Sequence, residues 1–576
     1  MSVKNLRAII EVARGLEIAD LILKNARVVD ILGHSIIDAD IAVYKGVIAG
    51  IGKYKKAKKI IDLKSSYLCP SFIDGHIHIE SSLLSPFEFA KVVIPHGTGS
   101  CVIDPHEIAN VLGVEGIKFM MENAKALPID IYCMLSSCVP ATPFETAGAN
   151  IGAKELKTLI NHPRVLGLAE MMNFPGVVFG QKDVLEKIEV AGSKIIDGHC
   201  PFLSGEKLCA YITAGISSEH EAVTLEEARE KLSRGMYIMI REGSTAKNLK
   251  DLAPLIIPET FRRLMFVSDD KHPHDILKEG HLDAIIRKAI SLGVDPFIAI
   301  SMASFNSAQY FGLAKRGAVA CGFSADMVTF KNLKKIDIDM VFKDGKLVAR
   351  KGQLTEKSVA GKRVSAKRQK AMNVNSARIK AEDFKVPAKG KKIRVIGVIP
   401  NQIITNNLIE EANIADGVIQ SDVEKDILKI VVMERYSGEM GRTVGFVKGF
   451  GLKKGAIASS VAHDSHNLIA VGTNDADLAE GLRFLAVCGG GLCCIKDGKV
   501  TAQLELPIAG LMSFQKAEMV ADEMDALIEE ACILGSKLDN PFMALSFLAL
   551  PVIPNLKITD KGIFDVNKFE FVDLFV

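Results

Sequence analysis

Two histidines, His76 and His78, close the apolar run Ser71-Phe72-Ile73-Asp74-Gly75-His76-Ile77-His78. On a β-strand, residues two apart point to one face, so both imidazoles aim at a single spot. Imidazole nitrogens and carboxylate oxygens suit zinc, manganese or iron(II). Similar groups recur downstream at the ends of apolar runs: Asp104 with His106, Glu170, His199, His220, Arg241/Glu242 and Asp269. Together they predict a centre for two divalent metal ions. One metal takes His76, His78 and Asp269; the second takes His199 and His220; Glu170 bridges both. A bound divalent ion lowers the pKa of water to about 7 in favourable sites, which makes a nucleophile at neutral pH. Asp269 is placed to accept that water's proton and hand it to a leaving group. Asp269, Glu170 and His106 are therefore the catalytic candidates.

Each group also has a plainer reading. An isolated His-X-His pair fits core histidines bonded to backbone, and the ordered series of further ionisable strand ends argues against that. Glu219, next to His220, reads as a supporting or surface carboxylate. Asp270 competes with Asp269 and reads better as a cap for the element that follows. Asp104 and His106 either bind substrate or shape the turn before a helix expected over 107–126. His463-Asp464-Ser465-His466-Asn467 either closes over the site and touches substrate or forms a polar turn. Asp104, His106, Ser268 and His463 are the substrate-binding candidates.

The positioning elements follow from periodicity. Eight short apolar runs alternate with helix-like stretches over roughly 250 residues, which predicts an α/β, TIM-like (β/α)8 barrel over 71–319. Such barrels present all their strand ends at one face, so ligands far apart in sequence converge. Short Gly-punctuated strands over 1–70 and 320–355 predict one composite β domain, a small β-sandwich, built from both sides of the barrel. A basic stretch over 356–392 reads as a solvated linker. Residues 393–576 read as a C-terminal α/β domain.

Composition sets further bounds. Lys and Arg number 71 against 69 Asp and Glu, a net charge of +2, which gives no electrostatic case for nucleic acid or a membrane surface. The first residues lack the unbroken apolar core of a signal peptide, and the apolar stretch 541–556 is too short and too Pro-broken to span a bilayer. The 11 cysteines show no spaced framework, which points to a reduced, cytoplasmic protein. Cys488, Cys493 and Cys494 near a Gly-rich turn offer a weak second metal possibility.

Phe72-Ile73-Asp74-Gly75-His76-Ile77-His78 resembles the first-strand motif of the amidohydrolase superfamily. Gly75-His76-Ile77-His78-Ile79-Glu80-Ser81-Ser82, Asp104-Pro105-His106-Glu107, Ala191 to His199 and His463-Asp464-Ser465-His466-Asn467 resemble those of the adenine deaminase family. The resemblance implies hydrolysis of adenine to hypoxanthine and ammonia in purine salvage. It also implies two divalent ions, manganese(II) or iron(II), with zinc accepted by the same ligands, and a homodimer or larger homo-oligomer. Glu170 stands where hydantoinase and dihydroorotase types carry a carboxylated lysine, which argues against a cyclic-amide hydrolase. The full ligand set argues against a purine-binding scaffold without turnover.

Overall fold

The computed structural model of the chain describes residues 2–244, 246–358, 372–400 and 402–576. Its centre is a curled parallel sheet of eight strands in two arcs. Five strands lie side by side in chain order: Phe72–Ile77, Thr98–Ile103, Asp130–Leu135, Val165–Met171 and Ile195–Gly198. Three more follow: Ser218–Glu219, Tyr237–Arg241 and Leu264–Val267. The arcs meet at both edges. Asp269 N donates to His76 O (3.0 Å) and His78 N to Asp269 O (3.3 Å), joining the first and eighth strands. Ser217 N donates to Ile196 O (3.0 Å) between the fifth and sixth. Gly198 is required at that second junction, because a Cβ there would stand 2.3 Å from Ser218 O.

Ile73, Val102, Met134, Ala169, Met239 and Met265 pack together, with Tyr310 and Phe311, in one buried cluster. The candidate metal-binding side chains gather at the strand ends, which is the arrangement that lets ionisable groups meet without breaking the core. The helix expected over 107–126 is two helices, His106–Leu112 and Val114–Asn123. Gly113, at φ +60°, turns the chain between them. The sixth strand, expected from about 215, pairs only over Ser218–Glu219.

The flanking β-rich segments join in one sheet of nine strands. Tyr67–Pro70 pairs antiparallel with Met327–Phe330, so strands from before and after the parallel strands share a ladder. The expected small sandwich is thus hydrogen-bonded as a single sheet. Both of its faces are buried along Ala19–Asp30: Leu21 and Leu23 enter one cluster and Ile22 the other. Helix Val3–Ala13, absent from the sequence expectation, covers the second face through Val12.

Residues 392–505 carry an eight-stranded, mostly antiparallel sheet. Val431, Ala458 and Ala470 face helix Asp475–Cys488, while Ile430, Ile457 and Val471 face the core shared with Ala517–Ile533 and the parallel strands. Cys493 and Cys494 lie on opposite faces of one strand and cannot share an ion. The basic run 361–370 lies outside the described residues. Among the described residues, no helix is long and apolar enough to cross a membrane.

A buried charge cluster ties the nine-stranded sheet to the parallel strands. Lys343 Nζ reaches Asp130 (2.6 Å) and Asp326 (2.8 Å), and Arg316 reaches the same two carboxylates (2.9 and 2.7 Å). Burial alone would raise the Asp130 pKa, but these cations outweigh it and hold it at about 2, below the ordinary 3.8. A depressed carboxylate stabilises the fold above its ordinary value, and the contribution is lost as pH falls towards 2. Lys343→Met leaves a buried carboxylate short of a partner and is expected to cost about 3 kcal/mol at pH 7, read as a lower urea midpoint. The deficit should shrink below pH 3; a deficit independent of pH would refute this account.

Candidate metal centre and active site

Every ligand candidate lies at or just beyond the end of a parallel strand. His76 is on the first strand and His78 follows it; Glu170 is on the fourth; His199, His220 and Asp269 follow the fifth, sixth and eighth. All are buried except His199, which is nearly so. Asp269 has φ +56°, the left-handed region that Asp tolerates better than most residues. Its own N–H and C=O are both bonded to the first strand, which holds that turn in place.

The side chains converge on Glu170. Its Oε1 lies 3.5 Å from His78 Nε2 and 3.5 Å from His106 Nδ1. Its Oε2 lies 2.7 Å from His199 Nδ1 and 3.3 Å from His220 Nε2. Asp269 Oδ1 lies 3.4 Å from His76 Nε2 and 3.2 Å from His78 Nε2. Charge-assisted hydrogen bonds run about 2.7–2.9 Å. Two atoms each about 2.1 Å from a common ion stand about 3.0 Å apart at a right angle and about 3.4 Å apart at the tetrahedral angle. Most of these separations match ligands that share an ion.

Tautomers agree with that assignment. His78 Nδ1 lies 2.9 Å from Asp104 O. A carbonyl only accepts, so Nδ1 carries the proton and Nε2 turns its lone pair to Glu170 and Asp269. His76 Nε2 and His106 Nδ1 are buried with no hydrogen-bond partner among the described residues. Such orphans are costly unless something binds them. Donor set, spacing and orphaned nitrogens therefore fit divalent ions.

Electrostatics follow from the crowding. Burial opposes charge on Glu170, yet His199 and His220 hold its carboxyl well below the usual range. Burial likewise works against protonated His220, but Glu170 lifts its pKa to about 9. Nearby Glu107 goes the other way. Burial, then the charges of Glu80 and Asp270, push its carboxyl well above the usual range, which favours its protonated form.

Of the groups around these ligands, the sequence did not single out Glu221. Glu221 follows His220 and approaches it (3.5 Å) and His199 (3.8 Å). Arg241, at the end of the seventh strand, clamps Glu221 through both Nη atoms and reaches Asp269 Oδ2 at 3.0 Å. Glu219 is a buried support: it accepts from Cys200 N (2.9 Å) and pairs with Lys231. Asp270 does not cap the following helix; its Oδ1 accepts from Ser81 Oγ (2.5 Å), beside the first strand's end.

The substrate candidates divide. His106 and His463 stand at the mouth. His463 arrives on the loop between Ala456–Ser459 and Leu468–Gly472, stacks on Phe547 (4.7 Å) and lies 3.5 Å from Glu107. Asp464 from that loop lies 3.8 Å from His106. His466 Nδ1 accepts from Ala462 N, which leaves its Nε2 proton directed to Glu107, 3.9 Å away. Asp104 sits deeper, accepting from Glu170 N (3.3 Å) and standing 3.4 Å from His106. Ser268 has its hydroxyl on Asp74 (2.5 Å), a bond that ties the residue after the eighth strand to the first strand.

Residues 67–348 match the amidohydrolase family, and the barrel-type sheet with its strand-end histidines and carboxylates belongs to that class of metal-dependent hydrolases. Residues 402–570 match the adenine deaminase C-terminal domain. Whole-chain relatives agree. An adenine deaminase of Dehalococcoides mccartyi (strain ATCC BAA-2266 / KCTC 15142 / 195) is 50% identical over 99% of both chains. Adenine deaminase 2 of Carboxydothermus hydrogenoformans is 48% identical over 99% of both, and the adenine deaminase of Clostridium acetobutylicum 46% over 98% of this chain and 99% of that one. The chain belongs to the adenine deaminase family.

Arg241 supplies the test of this geometry. Arg241→Gln leaves Glu221 and Asp269 without their cation, and partners of this kind typically contribute 10- to 100-fold in metal affinity. Competition with a chelating dye should show retention weakened by about that factor. Retention equal to the parent protein would contradict the clamp.

Proposed function

We propose that this protein hydrolyses adenine to hypoxanthine and ammonia at the Glu170 centre, in a (β/α)8 barrel closed by the junctions at His76–Asp269 and Ile196–Ser217. The observation that carries the reading is Glu170, whose two oxygens each face a separate group of histidines. In this reading His76, His78 and Asp269 hold one divalent ion, His199 and His220 hold another, and Glu170 spans both. Manganese(II) or iron(II) is the expected metal, and zinc fits the same donors. The ions, when bound, supply Lewis acidity that makes water nucleophilic near neutral pH.

The chain's own groups handle the protons. Asp269, ionised beside Arg241, takes the proton of the attacking water as its oxygen bonds to C6 of the purine. The ring nitrogen N1 must gain a proton as C6 becomes tetrahedral. Glu107, with its protonated form favoured, is the acid available at the mouth, with His106 and His463 beside it and Asp104 behind His106. Asp269 then returns its proton to the exocyclic amine, the C–N bond breaks to release ammonia, and the C6 hydroxyl gives up its proton as the carbonyl forms, which restores the Glu107 proton. A flat, largely apolar purine suits a mouth roofed by His463 on Phe547. The 11 free cysteines, eight of them buried, support a cytoplasmic place of work.

Protein reconstituted with manganese should convert adenine to hypoxanthine with one ammonia per turnover, and chelation should abolish this reversibly. Asp269→Asn should lower kcat by about 10²–10⁴-fold. His199→Ala should lose turnover and bind fewer than two ions per chain. Full activity in His199→Ala, or no ammonia from adenine with two ions bound, would overturn the reading.

A further inference from the structure

Behind the loop that carries Asp269, a second polar site is built from residues the deamination chemistry does not use. A cavity of about 330 Å³ is bordered by Lys247, Lys271, Arg287 and Lys288, with Glu242 and Glu279. Two of the cations are already committed. Arg287 pairs with Asp283 (2.7 Å), and Lys288 bonds to Glu242. Lys271 is different: it is only 2% exposed, and among the described residues its ammonium has no hydrogen-bond or ion-pair partner. A buried charge is tolerated when something compensates it, and an uncompensated one costs several kcal/mol. Lys247, across the cavity, likewise has no side-chain partner among the described residues and is exposed.

The framework around the cavity is fixed. Ser244 N donates to Asp270 O (2.8 Å), and His272 N donates to Ser244 Oγ (2.8 Å), so both walls are tied by backbone bonds. With Arg287 on Asp283 and Lys288 on Glu242, the two lysines left face one bordering carboxylate, Glu279, an excess of one positive charge. A compact anion with several acceptor oxygens matches that excess and the donors of Lys271 and Lys247. The volume holds a tetrahedral oxyanion with a few waters, a volume of about 30 Å³ each.

We infer that this cavity is a binding site for a small oxyanion of the inorganic phosphate class, held by Lys271 and Lys247. Lys271 stands two residues beyond Asp269, on the segment whose Asp270 accepts from Ser81. An anion there fastens the far side of the loop that presents Asp269, without entering the catalytic mouth. The site is independent of which purine the enzyme takes.

The test uses the metal-loaded full chain and inorganic phosphate. In equilibrium dialysis the parent protein should bind one phosphate per chain, and Lys271→Met should bind it at least tenfold more weakly. Thermal melts at matched ionic strength should show a phosphate-dependent rise in Tm for the parent that Lys271→Met lacks. In phosphate-free buffer Lys271→Met should melt no lower than the parent, because it removes an unpaired buried charge. If that variant fails to fold, Lys247→Gln carries the test, with a smaller loss expected. Absence of phosphate binding in the parent overturns the proposal. So does binding that persists unchanged in both variants and is displaced by excess purine, which would place the anion on the metal centre.

Discussion

The structure depends on a single buried carboxylate being shared. Glu170 is 4% exposed, and burial by itself would neutralise it. It stays ionised because four histidines, arriving from the first, second, fifth and sixth strands or their following turns, surround its two oxygens at 2.7–3.5 Å. A one-residue slip of any of those strands would displace the turn or helix start that carries its histidine. The registers of the parallel sheet and the assembly of the centre are therefore one constraint. A fold that satisfied the hydrophobic core but missed this alignment would leave a charged group and several imidazoles stranded in low dielectric.

The same bonds that close the sheet also build the site. Asp269 N and O bond to His76 O and His78 N, so the joint between the first and eighth strands sets the separation between the ligands those strands carry. Beneath it, Asp74 accepts from Ser268 N and Oγ and faces His281 Nε2 at 3.2 Å. Asp74, Ser268 and His281 are all buried. The effect of their network is to lock the two strands at the depth where their final residues must meet, which is how a rigid centre arises from groups separated by almost two hundred positions.

Much of this was legible in the sequence because two periodicities carry it. Strand ends announce themselves where an apolar run stops at an ionisable residue, and the order of such stops predicts a ring of ligands before any coordinates exist. All six proposed ligands come together in this way. What stayed hidden has local physical causes. Glu219 and Glu221 flank His220 symmetrically, and only the turn after the short sixth strand decides that Glu221 approaches the histidines while Glu219 faces Lys231. Asp270 looked like a cap, but the chain turns at Asp269 and sends the next side chain to Ser81. The nine-stranded sheet hid as a sandwich because long-range pairing between residues 67–70 and 327–330 leaves no local signal. Helix Val3–Ala13 was missed because its apolar residues alternate with charged and polar ones, and its packing on Ile22 and Ala42 decides its state.

The division of labour between the two halves explains why the C-terminal region belongs to the active site. The parallel strands supply histidines and carboxylates that would suit many hydrolytic reactions. By themselves they leave Glu80, Glu107 and Asp270 crowded at one side of the mouth, three acids within each other's field. The loop carrying His463, Asp464 and His466 answers that crowding: His463 and His466 face Glu107, and Asp464 faces His106. That loop is anchored on the barrel side by Asn467, which donates to Thr146 O at 2.8 Å, and it is roofed by Phe547. Covering the mouth in this way shields the buried Glu107 carboxyl from water, as the proposed protonation of a ring nitrogen requires. A metal-binding barrel alone has no such requirement; an enzyme that must protonate a heterocycle while attacking it does.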